Sequence, residues 1–109
     1  MSGLLTDELR EALPRLREQD GSADPVVHAV FFFPLSGWKW FVTEGEPRDD
    51  DFIFFGNVTG LEAEFGYFAL NELEGVNIDG FKVECVEDFR PAPLKQCLEL
   101  NSDRSKTSG

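Results

Sequence analysis

Two groups of carboxylates are the residues of this sequence whose types and spacing could do chemistry. Asp49, Asp50 and Asp51 follow one another directly, and Glu62 and Glu64 lie two positions apart. Carboxylate oxygens are the ligands that Ca²⁺ and Mg²⁺ prefer, so the three aspartates could hold a hard cation. Residues two apart on a strand point the same way, so the two glutamates could form a catalytic pair.

The sequence favours a simpler interpretation of both groups. The alternating ligand spacing of a Ca²⁺ loop is absent around Asp49–Asp51, and an acidic run in a loop is usually solvated. Glu62 and Glu64 follow Gly60, which favours a turn that faces water. The sequence has no Gly-rich phosphate loop, Ser-centred elbow or metal motif. We therefore predict no metal, no cofactor and no catalytic residue, and a binding protein rather than an enzyme.

The remaining candidate residues also have structural interpretations. His28 alternates with Val26 and Val30, which predicts a hydrogen-bonded core residue rather than a base or a ligand. Cys85 and Cys97 form neither a CxxC pair nor a disulfide framework, and a bridge between them stays open.

Trp38 and Trp40 lie at period two, as residues on one face of a strand do. Such a pair could form an exposed aromatic platform. Packing in the core is the use that we favour.

The acidity of the chain is concentrated in one segment. Residues 44–88 contain 13 of the 21 acids but only Arg48 and Lys82 among the bases, so they account for the whole net charge of −11. This charge argues against direct nucleic-acid binding and against anionic membranes. A basic protein partner, a cation or no electrostatic partner remains, and the acidity could serve solubility alone.

The partner hypothesis assigns binding to seven acids of this segment: Glu44, Glu46, Asp49, Asp50, Asp51, Glu62 and Glu64. Whether they converge on one face stays open, because alternate residues of a strand point to opposite sides. The oligomeric state also stays open.

The first element that the pattern predicts is a helix over residues 6–13. Leu5, Leu9 and Leu13 recur at helical spacing, Thr6 is a suitable N-cap, and Pro14 prevents continuation. Residues 19–25 have loop composition.

Short apolar or alternating runs predict five strands, over residues 26–33, 38–44, 52–59, 65–69 and 81–86. Residues 45–51 are expected to be a polar loop, and Gly56 to mark a bulge or a close backbone approach. A helical turn is predicted from Asn71, with Glu74 as its capping-box residue and Gly75 as its end. A short C-terminal helix begins with Pro93 at its first position.

These elements predict an α+β fold, with an antiparallel meander sheet of about five strands, an N-terminal helix and a short C-terminal helix. With 109 residues, 11 of them phenylalanine, we expect one domain over residues 1–100 and a disordered polar tail over residues 101–109. Neither a signal-peptide h-region nor a run of roughly 18 to 20 apolar residues occurs, so we expect a cytoplasmic protein.

Several short motifs together resemble a family of small bacterial proteins classed as a domain of unknown function. They include Trp38-x-Trp40-x-Val42-Thr43-Glu44, Phe54-Phe55-Gly56, Glu64-Phe65-Gly66-Tyr67-Phe68, Leu70-Asn71-Glu72-Leu73-Glu74 and Pro91-Ala92-Pro93-Leu94. The resemblance covers roughly residues 4–95 and implies a context of plasmids and other mobile elements, but no activity. The family's Glu-Arg-Asp run is replaced here by Glu84-Cys85-Val86.

Two hypotheses follow. In the first, the chain is an acidic protein-binding module, similar to a DNA mimic or an anti-defence accessory of a mobile element, that engages a basic host protein. In the second, it is a structural accessory domain that binds through its aromatic surface, and its acidity serves only solubility.

Overall fold

The computed structural model describes residues 4–19, 21–87 and 89–99, and its centre is a five-stranded antiparallel sheet. The elements in chain order are α1 (Asp7–Ala12), β1 (Val26–Val27), β2 (Ala29–Phe32), β3 (Lys39–Arg48), β4 (Asp51–Thr59), β5 (Ala63–Ala69), α2 (Leu70–Glu74), β6 (Glu84–Cys85), β7 (Ala92–Pro93) and a helix over residues 94–99, here α3. The strand order β5-β4-β3-β2-β6 confirms the α+β class. Strands β2 to β5 form the meander, and β6 returns to the far edge beside β2.

The first strand run is divided at His28. Val26 and Val27 pair with β7 in a separate two-stranded sheet, whereas Ala29 pairs with Val42 of β3. The backbone N–H of His28 donates to the carbonyl of Val42 at 2.8 Å. The prediction of one strand over residues 26–33 is therefore wrong, because its two halves pair with different partners.

Helix α1 forms where the sequence predicts it. The hydroxyl of Thr6 accepts a hydrogen bond from the N–H of Leu9 at 3.1 Å, and Asp7 and Glu8 lie in the positive first turn. The helix ends before Pro14, and Leu13 is buried in the core. The guanidinium of Arg10 lies 5.6 Å from the centre of the Phe52 ring.

The expected polar loop over residues 45–51 is largely strand, which corrects that prediction. Strand β3 continues to Arg48, β4 begins at Asp51, and only residues 49 and 50 form the turn. Gly45 is buried against the Phe52 ring, which a Cβ at this position would overlap. Asp49 has a φ of 55°, the left-handed conformation that Asp tolerates in tight turns.

A hydrophobic core lies on each face of the sheet. The first contains Phe31, Phe54 and Phe68, and the rings of Phe31 and Phe54 meet edge to face at 5.4 Å. The second lies where β1, β2 and β3 meet α3, and its members are Val27, Val30, Phe41, Leu94 and Cys97. Burial of each large apolar side chain contributes on the order of 1.5 to 3 kcal/mol.

The details of two later elements differ from expectation. Helix α2 begins after Ala69 rather than at Asn71, and the carboxylate of Glu72, not Glu74, accepts from the Ala69 N–H at 3.1 Å. Gly75 ends the helix as predicted. The run over residues 81–86 contributes only the two residues of β6, and Pro93 belongs to β7 rather than to α3. The predicted tail over residues 101–109 lies outside the described residues.

Gly56 makes the close backbone approach that its position predicts. A Cβ at this position would overlap the carbonyl oxygen of Phe41. The register of β3 against β4 shifts between Val42 and Glu44, directly after the pair that Val42 forms with Gly56. The bulge therefore belongs to β3, and Gly56 is the residue of β4 that leaves room for it.

Candidate functional site

Glu44 is the acidic residue that the fold buries most deeply among those proposed for partner binding. Its side chain is 3% exposed. The carboxylate accepts hydrogen bonds from the backbone N–H groups of Arg17 at 2.8 Å and Gln19 at 2.7 Å. Because this carboxylate is enclosed and already bonded, Glu44 cannot present its charge to a partner in this fold. Its place in the binding set stays a prediction, and the structure gives this carboxylate a role within the fold.

Gln19 extends this contact to two strands. Its side-chain amide donates to the carbonyls of Thr43 at 2.8 Å and Val26 at 3.0 Å, and its Oε1 accepts from the N–H of Val26 at 2.7 Å. The segment after α1 is thus held against β3, and Arg17 adopts a positive φ of 78° within it.

Glu46 also serves this segment. Its Oε1 accepts from the N–H of Leu16 at 3.2 Å, and the N–H of neighbouring Gly45 donates to the Pro14 carbonyl at 2.9 Å. The side chain is partly exposed, so part of its charge faces solvent. Glu46 therefore belongs to the docking of residues 14–19 as well as to the acidic surface.

The three aspartates lie at the β3–β4 turn. Asp51 is partly buried, and its Oδ1 accepts from the N–H groups of Phe52 at 2.8 Å and of Asn71 at 3.0 Å, the latter in the first turn of α2. Asp49 and Asp50 are exposed. Among the described residues, no three His, Cys, Asp or Glu side chains are placed to hold a metal ion.

The four exposed acids of the proposed binding set lie at opposite ends of β4. Asp49 and Asp50 precede β4, whereas Glu62 and Glu64 follow it. Strand β4 spans nine residues, and its two ends are about 26 Å apart at roughly 3.3 Å per residue. The seven acids are therefore divided between a buried contact and two opposite ends of the sheet.

One end of the sheet combines exposed carboxylates with exposed apolar groups. Strand β5 lies at the edge of the sheet, and Leu61, Phe65 and Tyr67 are 96%, 53% and 60% exposed. We name this surface the β5 edge and define it by Trp38, Leu61, Glu62, Glu64, Phe65 and Tyr67.

The aromatic side chains of the β5 edge are ordered by contacts along the sheet. Phe55 of β4 stacks on Phe65 at 5.8 Å and contacts Tyr67 at 4.9 Å between ring centres. Trp38 lies over Gly60, where a Cβ would overlap its ring, and it is 41% exposed. Trp40 is partly buried and packs against the first core, so only one of the two tryptophans has the core packing that the sequence interpretation favours.

Two grooves lie on opposite faces beside β5. The first, which we name the aromatic groove, has a volume of about 610 Å³ and is lined by Phe55, Phe65, Tyr67, Arg17, Gln19 and Glu44, among others. The second, the acidic groove, has a volume of about 430 Å³ and is lined by Trp38, Val58, Leu61, Glu62, Glu64 and Gly66, with Phe65 shared between the two. Alternation along β5 places Phe65 and Tyr67 on one face and Glu64 and Gly66 on the other.

The histidine and the cysteines are set apart from these grooves. The Nδ1 atom of His28 is buried without a hydrogen-bond partner, so the expected hydrogen-bonded histidine is not what the structure has. Burial lowers the pKa of His28 below its usual value of 6.5. Cys85 and Cys97 are free thiols, and burial raises the pKa of each, with the charge of Asp24 adding to the rise at Cys97.

Comparison with known proteins identifies the family of this chain. A family model described as a protein of unknown function (DUF2958) matches residues 4–100. The chain belongs to this family, which confirms the resemblance to a domain of unknown function. Neither a curated protein nor a solved structure matches it. Within the described residues, no helix is long and apolar enough to cross a membrane.

Residues 84–86, where the sequence differs from the pattern that it otherwise resembles, lie at a third groove. Glu84 is exposed on β6 and lines, with Glu74, Glu87 and Lys82, a groove of about 650 Å³. The carboxylate of Glu74 accepts from the Leu4 N–H at 3.3 Å, so part of this acidic lining is used within the fold. Lys82 offsets part of the negative charge that remains, so this groove is less suited to a basic partner than the acidic groove.

Sequence reasoning missed two features of the site. The strand predicted over residues 65–69 does not by itself indicate that Phe65 and Tyr67 face outward, as they do in the structure. The available signal was the alternation of Phe65 and Tyr67 with Gly66 and Phe68, since only Phe68 is buried. No local pattern indicated that Arg17 and Gln19 would enclose Glu44.

Proposed function

We propose that this chain is a protein-binding module that engages a basic partner through the β5 edge. The observation that supports this proposal most directly is the clustering of Trp38, Leu61, Phe65 and Tyr67, four exposed large apolar side chains, at an edge strand. Contiguous exposed apolar surface at one place is typical of interaction sites. Aromatic side chains are also the residues most enriched at interface centres.

The negative charge at the β5 edge indicates that the proposed partner is positively charged. Glu62 and Glu64 border the apolar groups, and the chain as a whole has a net charge of −11. Complementary charge speeds encounter and excludes like-charged partners. A protein with a basic and apolar contact surface therefore fits the β5 edge, whereas a nucleic acid does not.

A role as a DNA mimic or an anti-defence accessory is the more specific form of this proposal. Mimicry of a duplex would need the free carboxylates to follow one continuous path. Asp49 and Asp50 lie about 26 Å from the other exposed pair, at the far end of β4. We therefore base the proposal on the β5 edge and leave the partner open to any basic protein, including a nucleic-acid-binding protein of the host.

The experiment is capture of partners from bacterial lysate on the immobilised chain, with elution at low and then high salt. Three proteins are compared: the unchanged chain, the double variant F65S/Y67S, and L35S. Leu35 is 50% exposed in the β2–β3 turn, so L35S removes a similar exposed apolar group away from the β5 edge. We expect one protein to be captured by the unchanged chain and L35S, lost with F65S/Y67S, and released by salt.

Two outcomes would contradict the proposal or change its form. Equal capture by all three proteins would place the binding surface elsewhere. Capture that depends on Phe65 and Tyr67 but resists salt would favour the structural accessory domain, in which the acidity serves only solubility. Circular dichroism of each variant checks that it is folded.

A further inference from the structure

We propose that the β5 edge binds its partner by strand addition, with an extended segment of alternating basic and apolar residues pairing along Ala63–Ala69. This inference rests on the proposed function and adds the mode of binding and the sequence pattern of the ligand. In strand addition, backbone hydrogen bonds supply affinity, and pockets for alternate side chains supply specificity.

The open edge of β5 is the first requirement. Strand β5 pairs with β4 along seven positions, from Ile53↔Ala69 to Thr59↔Ala63. In the part of the chain that the structure describes, no strand pairs with its other side. A row of backbone N–H and C=O groups along this side is therefore a template for an added strand. At the end of the row, the N–H of Ala69 already donates to the Glu72 carboxylate, so an added strand would have to displace this bond there.

The two grooves beside β5 meet the second requirement. An added strand sends successive side chains to opposite faces of the sheet. On one face these side chains would reach the aromatic groove, and on the other the acidic groove. Gly66 keeps the second groove open, since a Cβ at this position would meet nothing within 4 Å.

The linings of the grooves assign the side chains of the ligand. Glu62 and Glu64 in the acidic groove attract Lys or Arg, and Trp38, an aromatic residue of the kind that attracts cations, lines the same groove. The aromatic groove contains the rings of Phe65 and Tyr67, which suit an apolar side chain. Arg17 and Glu44 also line it, but the Glu44 carboxylate already accepts from two backbone N–H groups. The ligand is therefore basic at one set of alternate positions and apolar at the other.

A second copy of this chain fits the same edge less well. Each copy would bring a net charge of −11, and the acidic groove would then face a ligand of its own sign. Charged residues on an edge strand are also a common device against pairing between copies. The charge complementarity of the edge thus selects a basic segment of another protein.

The test uses the full chain, labelled with ¹⁵N, and a probe octapeptide of alternating Lys and Val. Two isomers of this peptide carry N-methyl groups, one on its Lys amides and one on its Val amides. All amides of one alternate set point to the same side of an extended strand. We therefore expect the parent peptide to shift and protect the amides of residues 63–69, and one N-methylated isomer, but not the other, to bind at least tenfold more weakly.

Any other result of the peptide experiment overturns strand addition. The proposed function itself is tested separately, by the lysate capture. Equal binding of both isomers and the parent would indicate contact through side chains alone, which the proposed function allows. Failure of the parent peptide to bind would reject an extended basic ligand, even if capture still depended on Phe65 and Tyr67. Shifts of residues 63–69 that depend on protein concentration without peptide would identify a second copy as the occupant.

Discussion

The carboxylate of Glu44 accepts a hydrogen bond from the backbone N–H of Gln19 at 2.7 Å. The side-chain amide of Gln19 in turn donates to the backbone carbonyls of Val26 in β1 and Thr43 in β3. A residue from the middle of the acidic segment thus fastens the chain after α1 to the sheet. Its negative charge serves the fold, and the surface available to a partner is smaller than the net charge suggests.

Replacement of Glu44 by Gln should destabilise the protein by about 1 to 3 kcal/mol. The two carboxylate oxygens accept from Arg17 and Gln19, and an amide would turn an NH₂ group toward one of these donors. Urea unfolding measures the loss. The matched control is E46Q, which removes a charge from a partly exposed side chain with one longer bond of 3.2 Å, and it should cost less than about 1 kcal/mol. Equal stability of E44Q and the unchanged chain would contradict this account of Glu44.

Gly56 and Gly66 face each other across β4 and β5, and they should respond oppositely to Ala. A Cβ at Gly56 would overlap the Phe41 carbonyl, so G56A should cost about 1 to 3 kcal/mol or more. A Cβ at Gly66 meets nothing within 4 Å, so G66A should change stability by less than about 0.5 kcal/mol. Thermal unfolding of the pair gives the comparison. If G56A were as stable as G66A, the bulge in β3 would have to move away from the new Cβ with little loss of stability, which would contradict this prediction.

The free energy of unfolding should decrease as the pH falls below 6.5, in part because of His28. Burial lowers the pKa of His28 in the folded state, so between that pKa and the unfolded value of 6.5 the unfolded chain binds more protons. The contribution is fully present above pH 6.5 and is lost as the pH falls toward the folded pKa. Proton NMR titration of the one histidine measures its pKa directly. A folded-state pKa at or above 6.5 would contradict the burial that the structure gives to its Nδ1 atom.

The two thiols should remain unbridged and react slowly. Cys85 packs against the first core and Cys97 belongs to the second, on the opposite face of the sheet. A disulfide needs Cα atoms within about 7 Å and side chains that point toward each other, and side chains on opposite faces of a sheet point apart. Because burial raises both pKa values, few thiolates exist at neutral pH. Mass spectrometry after alkylation without reductant should find both thiols, with Cys97 modified more slowly because it is only 8% exposed. An intramolecular bridge in the folded protein would be the contrary result.

Local signals were sufficient for the parts of the fold that depend on neighbouring residues. Thr6 caps α1, Pro14 follows its end, and Gly56 allows the close approach of β3, each as its residue type predicts. The α+β class follows from the order of the strand runs. These predictions succeed because hydrogen-bonding capacity, steric restriction and side-chain alternation act over a few residues.

The role of Glu44 could not be predicted in this way. Its donors lie 27 and 25 positions earlier in the chain, at Arg17 and Gln19. Only the folded arrangement brings those N–H groups to the carboxylate. The same limit applies to His28, since nothing in the run over residues 26–33 indicates that its two halves pair with different strands.

The salt dependence of partner affinity at the two ends of β4 tests the central claim most directly. With the captured partner in hand, its Kd is measured over a series of salt concentrations for the unchanged chain, for E62Q/E64Q and for D49N/D50N. Both variants remove two exposed charges from turns or strand ends, and the two sites lie on opposite ends of the same strand. We predict that E62Q/E64Q weakens binding about tenfold and flattens its salt dependence, while D49N/D50N leaves both nearly unchanged. The reverse result, or equal losses from both variants, would contradict binding at the β5 edge.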